Sequence, residues 1–245
     1  MAARKLVSKT ASKVVPTTSN LDTQADLDRA VRTLVRRDAR LRPILAATGM
    51  PALRRRESGF SGLAQIITGQ QLSTASAAAI WSRVRDAFDP FHHGAVRSAT
   101  IAALRGLGLS RAKSQALHAI ADEIIAGRLD LDALRDVDAD TAHRTLTALH
   151  GVGPWTADVY LLFCLGHRDA WPAGDVGIQT AVQLGLGLRS RPTAKELIAL
   201  AEPWRPLRGA AAHLWWAYYR VARGASGAAL PGAGSPTARG ARRPL

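Results

Sequence analysis

Two short stretches hold residues whose types and spacing can do chemistry. In Leu149-His-Gly-Val-Gly-Pro-Trp-Thr-Ala-Asp158, two glycines bracket one apolar residue and a proline follows. Proline suits the first turn of a helix, where its missing N–H costs nothing. The N–H groups of Gly151, Gly153 and Trp155 then stand at a helix amino end, which binds anions such as phosphate through free donors and the helix dipole. In Trp171-Pro-Ala-Gly-Asp175-Val-Gly-Ile-Gln179, a Pro-Ala-Gly turn delivers an aspartate to the start of a helical run. There Asp175 is either a plain N-cap or a negative charge fixed beside a substrate. In the second role it stabilises positive charge that develops only in a transition state. Other reactive types are weaker. Cys164 sits in the apolar run 159–165 and reads as core, because a nucleophilic thiol needs an electropositive, partly exposed setting. His92-His93 lacks a third ligand at metal spacing, and there is no Walker loop, zincin motif or Gly-x-Ser-x-Gly elbow.

The elements that must position these residues read as helices. Asn20 or Asp22 is expected to cap a first helix, with Leu27, Ala30, Val31, Leu34 and Val35 at helical spacing. Phe60, Leu63, Ala64, Ile66 and Ile67 mark a second, broken near Gly69, and Ser73 caps a third carrying Ala77, Ile80, Trp81 and Val84. Further helical runs fall around 98–104, 110–126, 138–148, 154–165, 176–186, 193–201 and 207–223. No segment alternates as a half-buried strand does, so the fold class is all-α. One internal echo stands out. Leu104-Arg-Gly-Leu-Gly-Leu-Ser-Arg-Ala112 shares Leu, Gly, Gly and Ala with 149–157 at identical offsets, which suggests a second helix–turn–helix of the same kind.

Charge narrows the partner. The 245 residues carry 33 Lys and Arg against 19 Asp and Glu, a formal net charge of +14. Residues 1–20 hold Arg4, Lys5, Lys9 and Lys13 with no acid, and 225–245 hold Arg239, Arg242 and Arg243 with none. Both ends lack apolar periodicity and are expected to be disordered basic arms. The segment 21–224 still keeps +7, which points to a polyanion, nucleic acid before membrane. No apolar stretch is long enough to span a bilayer. A single cysteine excludes a disulfide framework and a four-cysteine zinc or iron–sulfur site.

With these motifs together, the chain resembles the helix–hairpin–helix DNA glycosylases, most closely the 3-methyladenine DNA glycosylase II branch. The resemblance spans roughly 25–222. It rests on the Gly-Val-Gly hairpin and Asp175, on Phe60-Ser-Gly-Leu-Ala-Gln-Ile-Ile-Thr-Gly-Gln-Gln-Leu-Ser73 upstream, and on Trp204-Arg-Pro-Leu-Arg208 through His213-Leu-Trp-Trp216. It implies two helical lobes with a DNA cleft between them, a core over 21–224, and hairpins at 104–112 and 149–157. It also implies a monomer that extrudes an alkylated purine from duplex DNA and hydrolyses its N-glycosidic bond. A purine methylated at N3 or N7 already carries positive charge and needs no general acid to leave. Asp175 is the implied catalytic carboxylate, Trp155 and Trp215 the implied aromatic base pocket, and Gln71 or Leu72 the wedge that fills the vacated stack. Gln70 is expected to satisfy backbone groups instead. Phosphates would meet Gly151 and Gly153 and, at the first turn, Arg111 and Lys113. Main-chain carbonyls near Leu149 and Val152 would hold a monovalent cation, with no other cofactor.

Trp155 stands where bifunctional relatives carry a lysine nucleophile, so no Schiff base is expected from that position. The four-cysteine iron–sulfur loop of some relatives is absent, and where others carry a β-rich domain before the helices at most a short basic arm is expected here. Two other readings stay open: a non-catalytic module that only binds damaged DNA, and a glycosylase of the same fold for a neutral lesion such as uracil or hypoxanthine. The expected location is that of the DNA: cytoplasm and nucleoid in a bacterium, nucleus or organelle in a eukaryote.

Overall fold

The computed structural model describes residues 20–226, and among them every regular element is helical. The expected arms at 1–20 and 225–245 fall almost wholly outside the described residues. Twelve α-helices follow in order: α1 Gln24–Arg37, α2 Arg42–Thr48, α3 Gly59–Gly69, α4 Thr74–Asp86, α5 His93–Ser98, α6 Ile101–Gly106, α7 Arg111–Ile125, α8 Ala139–Thr147, α9 Pro154–Phe163, α10 Val176–Gly185, α11 Ala194–Ala201 and α12 Arg208–Ser226.

Most helix starts follow from capping chemistry. Ser73, Thr100, Ser110, Asp138 and Thr193 each accept a bond from a backbone N–H of the first turn, which satisfies a donor the helix itself cannot. Two expectations are corrected. Thr23, not Asn20 or Asp22, caps α1, in a reciprocal box with Asp26. Helices α2 and α5, unread in the sequence, are short; α5 is capped by the imidazole of His92, whose Nδ1 accepts from Gly94 and Ala95.

The topology brings both ends of the described chain together. Helix α12 packs on α10, α2 and α1, while α3 to α9 form a continuous central lobe in which α7 lies against α3, α5 and α6. Trp204 and Trp215, both fully buried, lie 6.0 Å apart in the terminal lobe, and Trp204 sits edge-on to Trp171 at 5.5 Å. Across the lobes, Leu21 donates to the Gly166 carbonyl and Arg56 to that of Phe163. The chain therefore crosses between lobes twice, at 49–58 and 164–175, and the second crossing carries Asp175.

Candidate active site

A cavity of about 970 Å³ opens between the lobes, within the size range of small-molecule sites. It is lined by the α3–α4 turn (Gly69 to Gln71), Asp140 and His143 on α8, the α8–α9 turn and the start of α9 (Gly151 to Thr156, with Asp158), the 169–176 crossing, Ile198 on α11, and Arg205 and Arg208 just before and at the start of α12.

Asp175 is at its wall and only 6% exposed. It caps α10: Oδ1 accepts from the Ile178 backbone N–H at 3.0 Å and from Trp216 Nε1 at 3.0 Å, and Oδ2 accepts from Trp155 Nε1 at 2.9 Å. Three N–H donors and a helix amino end replace the water this negative charge would have outside. A carboxylate has about four acceptor positions, so one remains for a ligand in the cavity. The capping and substrate-facing roles are thus held by one side chain at once. The turn that presents it is pinned twice. Asp175 N–H donates to Pro172 O at 2.9 Å, and Gln179, one helical turn on, donates from Nε2 to Ala173 O at 2.9 Å.

Trp155 is half-buried and lines the cavity. Its indole N–H is committed to Asp175, so what the side chain can offer a ligand is its ring. Trp215 is not in the cavity. It is fully buried in the terminal lobe, packed on Trp204 and Tyr218. Its neighbour Trp216 reaches Asp175, and its ring stacks on Phe163 with centroids 5.1 Å apart and 25° between planes. The implied role of Trp215 as a pocket aromatic is therefore corrected: one residue along a helix turns a side chain by about 100°, and α12 puts 215 inward.

The α3–α4 turn carries Gln70, Gln71 and Leu72. Gln70 donates from Nε2 to Gly151 O at 3.2 Å and to Thr156 Oγ1 at 2.9 Å, which ties this turn to the α8–α9 turn. Gln71 is exposed, lines the cavity and has φ +58, a left-handed backbone that costs a non-glycine residue roughly 1–2 kcal/mol. Leu72 is half-buried.

At the α8–α9 turn, Gly151 has φ +80, and a Cβ there would lie 2.4 Å from the Ala116 Cβ on α7. Glycine is thus required both by backbone conformation and by close approach. Gly153 is the N-cap of α9 and exposed, with Pro154 at the first helical position. The 104–112 echo is not a conformational copy. Its positive φ falls on the second glycine, Gly108, rather than the first, and Arg83 Nε donates into the turn at Leu107 O. Ser110 there occupies the Lys113 N–H. Lys113 is also corrected as a phosphate contact. Its Nζ donates to Thr68 O and Gln70 O, both at 2.8 Å, closing the carboxyl end of α3, and partial burial lowers its pKa. Arg111 is exposed. Cys164 is core as expected, 1% exposed, with burial pushing its thiol up to about 12.

Sequence reasoning missed the far wall. Arg208 grips Asp169 through Nε–Oδ1 at 3.0 Å and Nη2–Oδ2 at 2.9 Å, and Arg205 Nη1 joins Asp169 Oδ2 at 2.9 Å. This buried pair fastens the second crossing to α12. Beside it, His143 on α8 bonds Asp158 on α9 at 2.9 Å.

Residues 64–206, more than half the chain, match the family model described as HhH-GPD superfamily base excision DNA repair protein. The chain is 25% identical over 186 residues to a DNA-3-methyladenine glycosylase of Bacillus subtilis, covering 70% of this chain and 59% of that one, so it spans less than two thirds of that relative. Among solved structures, DNA-3-methyladenine glycosidase from Bacillus halodurans aligns with TM-score 0.71 at 29% identity, over 82% of this chain and 91% of that one. The Schizosaccharomyces pombe 3-methyladenine DNA glycosylase in complex with abasic DNA aligns with TM-score 0.68 at 25% identity, over 76% and 95%. No helix among the described residues is long and apolar enough to cross a membrane. With the Gly-Val-Gly turn, the capping aspartate and the two-lobed helical fold in place, the chain belongs to the HhH-GPD superfamily of base excision DNA repair proteins.

Proposed function

We propose that this protein is a monofunctional DNA glycosylase that releases alkylated purines from duplex DNA and leaves an abasic site. The observation that carries the reading is Asp175: a nearly buried carboxylate, held by three N–H donors, at the wall of a cavity large enough for a nucleoside.

Breaking the C1′–N bond of a methylated purine leaves positive charge on the sugar while the base departs neutral. A fixed negative group beside that sugar lowers the barrier because it binds the cationic transition state more strongly than the ground state. Asp175 needs no reorganisation to do so, since its hydrogen bonds are already made. Its remaining acceptor position suits the attacking water. Trp155 then serves as an electron-rich face for the cationic base, worth about 0.5–2 kcal/mol. Gln71, at the exposed tip of a strained turn, is our choice over Leu72 for the wedge, and the free donors of the α8–α9 turn are our choice for a backbone phosphate. Main-chain carbonyls near Leu149 and Val152 are our choice of ligands for a monovalent cation; the Leu149 carbonyl accepts Val152 N–H and keeps a second lone pair for it. Such an ion would add positive charge beside that phosphate. The protein's place in the cell would be wherever the DNA it repairs lies.

The test is incubation of the full chain with duplex DNA methylated by an alkylating agent, with chromatography of released bases. Release of 3-methyladenine or 7-methylguanine supports the reading. Tight binding to an abasic duplex without any base release would instead favour a damage-binding module.

A further inference from the structure

The cavity holds a second titratable pair that the hydrolysis of a cationic base does not use. His143 and Asp158 both line it. Asp158 is one turn beyond Trp155 on α9, a rise of roughly 4.5 Å, so the pair stands beside the aromatic wall. Asp158 is 7% exposed, and its Oδ1 takes the His143 Nδ1 at 2.9 Å, while the His143 side chain keeps 30% exposure. A buried carboxylate behind Nδ1 fixes the ring and directs Nε2 as the free nitrogen.

We propose that His143, oriented by Asp158, donates a proton to the departing base and so extends the reaction to purines that would otherwise leave as anions. This rests on the glycosylase reading above. In the step, the C1′–N9 electron pair leaves with the purine and the Nε2 proton of His143 passes to a ring nitrogen of that purine. Water adds to C1′ and gives its proton to solvent, and solvent returns a proton to Nε2. Asp158 is a positioning residue. The surroundings favour a charged imidazole: the hydrogen bond to Asp158 raises the His143 pKa, Asp140 on the same helix adds to this, and burial and Arg208 from α12 oppose it. Arg205 is spent on Asp140, Asp169 and Glu202.

The experiment is single-turnover release from two duplexes, one carrying 7-methylguanine and one hypoxanthine, across pH 5.5–9, for wild type, H143Q and D158N. A general acid contributes about 10²–10⁴-fold. H143Q is therefore expected to slow hypoxanthine release at least 10²-fold more than 7-methylguanine release. The wild-type hypoxanthine rate is expected to fall with rising pH through the imidazole titration, and D158N to move that fall to lower pH. Equal slowing of both substrates, a hypoxanthine rate with no alkaline fall, or a wild type that releases 7-methylguanine but never hypoxanthine overturns the proposal and leaves the glycosylase reading standing. Release of neither base overturns the glycosylase reading itself. If H143Q does not fold, the alkaline fall and its displacement in D158N decide.

Discussion

Trp216 offers a quantitative probe of how Asp175 is held. Its indole does two separable things: it stacks on Phe163, and it donates from Nε1 to Asp175 Oδ1 at 3.0 Å. Phenylalanine at 216 keeps an aromatic stack and deletes the donor. A hydrogen bond to a charged group is worth about 1.5–3 kcal/mol, and one between neutral groups about 0.5–1.5 kcal/mol. W216F also loses ring area, so its total cost mixes two effects. A double-mutant cycle with D175N removes the mixture, because the packing loss is common to both backgrounds. Asparagine still accepts through a neutral carbonyl, so the coupling energy is the charged bond less the neutral one, about 1 kcal/mol or somewhat more. Urea unfolding of wild type, W216F, D175N and the double variant measures it. The same cycle on single-turnover base release should show W216F slowing the reaction by about fivefold, as about 1 kcal/mol implies. If the two substitutions add in stability within about 0.3 kcal/mol, Trp216 does not support the charge on Asp175 and the site's electrostatics have been misassigned.

Three further outcomes follow from other parts of the molecule. Gly151→Ala places a Cβ 2.4 Å from that of Ala116 at φ +80, and left-handed strain plus overpacking should cost about 2–5 kcal/mol in urea unfolding; a loss under 0.5 kcal/mol would mean that α7 and the turn do not pack as described. Lys113→Met should lower stability and leave the salt dependence of DNA binding as it is, whereas Arg111→Ala should reduce that slope by about one; the reverse pattern would restore Lys113 as the phosphate contact. Burial lowers His213 to about 4, against about 6.5 unfolded, so the unfolded chain takes the proton first. Stability from this group is complete above about pH 6.5 and declines toward pH 4 by up to about 3 kcal/mol; H213Q should flatten that decline in thermal melts, and an unchanged slope would exclude His213 as its source.

What could be read from the residues, and what could not, divides along physical lines. Long helices with side-chain caps, such as α4 behind Ser73 and α7 behind Ser110, announce both period and start. Helix α2 has no side-chain cap and α5 uses an imidazole, so neither gives the usual signal. For α1 the Thr23–Asp26 box is a legible signal, but Asn20 and Asp22 just upstream are equally good capping types and compete with it. At the site, Asp175, Trp155 and Gln70 act locally around two turns, and local patterns revealed them. Trp215 and Trp216 are adjacent on a helix whose rotation is set by α1, α2 and α10, which no local pattern encodes. Lys113 looked like a surface cation because its chemistry depends on where α3 ends. His143 and Asp158 had a usable signal. They lie seven residues before and after the turn 150–151, and helices joined by a short turn bring such residues opposite one another.

The most direct measurement is single-turnover release of 3-methyladenine and 7-methylguanine from methylated duplex DNA by wild type and Asp175→Asn, with abasic-duplex binding measured alongside. Asparagine keeps the shape of the cap and removes the charge. A preorganised electrostatic group of this kind is worth about 10²–10³ in rate, so the variant should lose at least 10²-fold in release while still binding abasic DNA. Release within threefold of wild type would contradict the assignment of Asp175 as the group that stabilises the sugar cation.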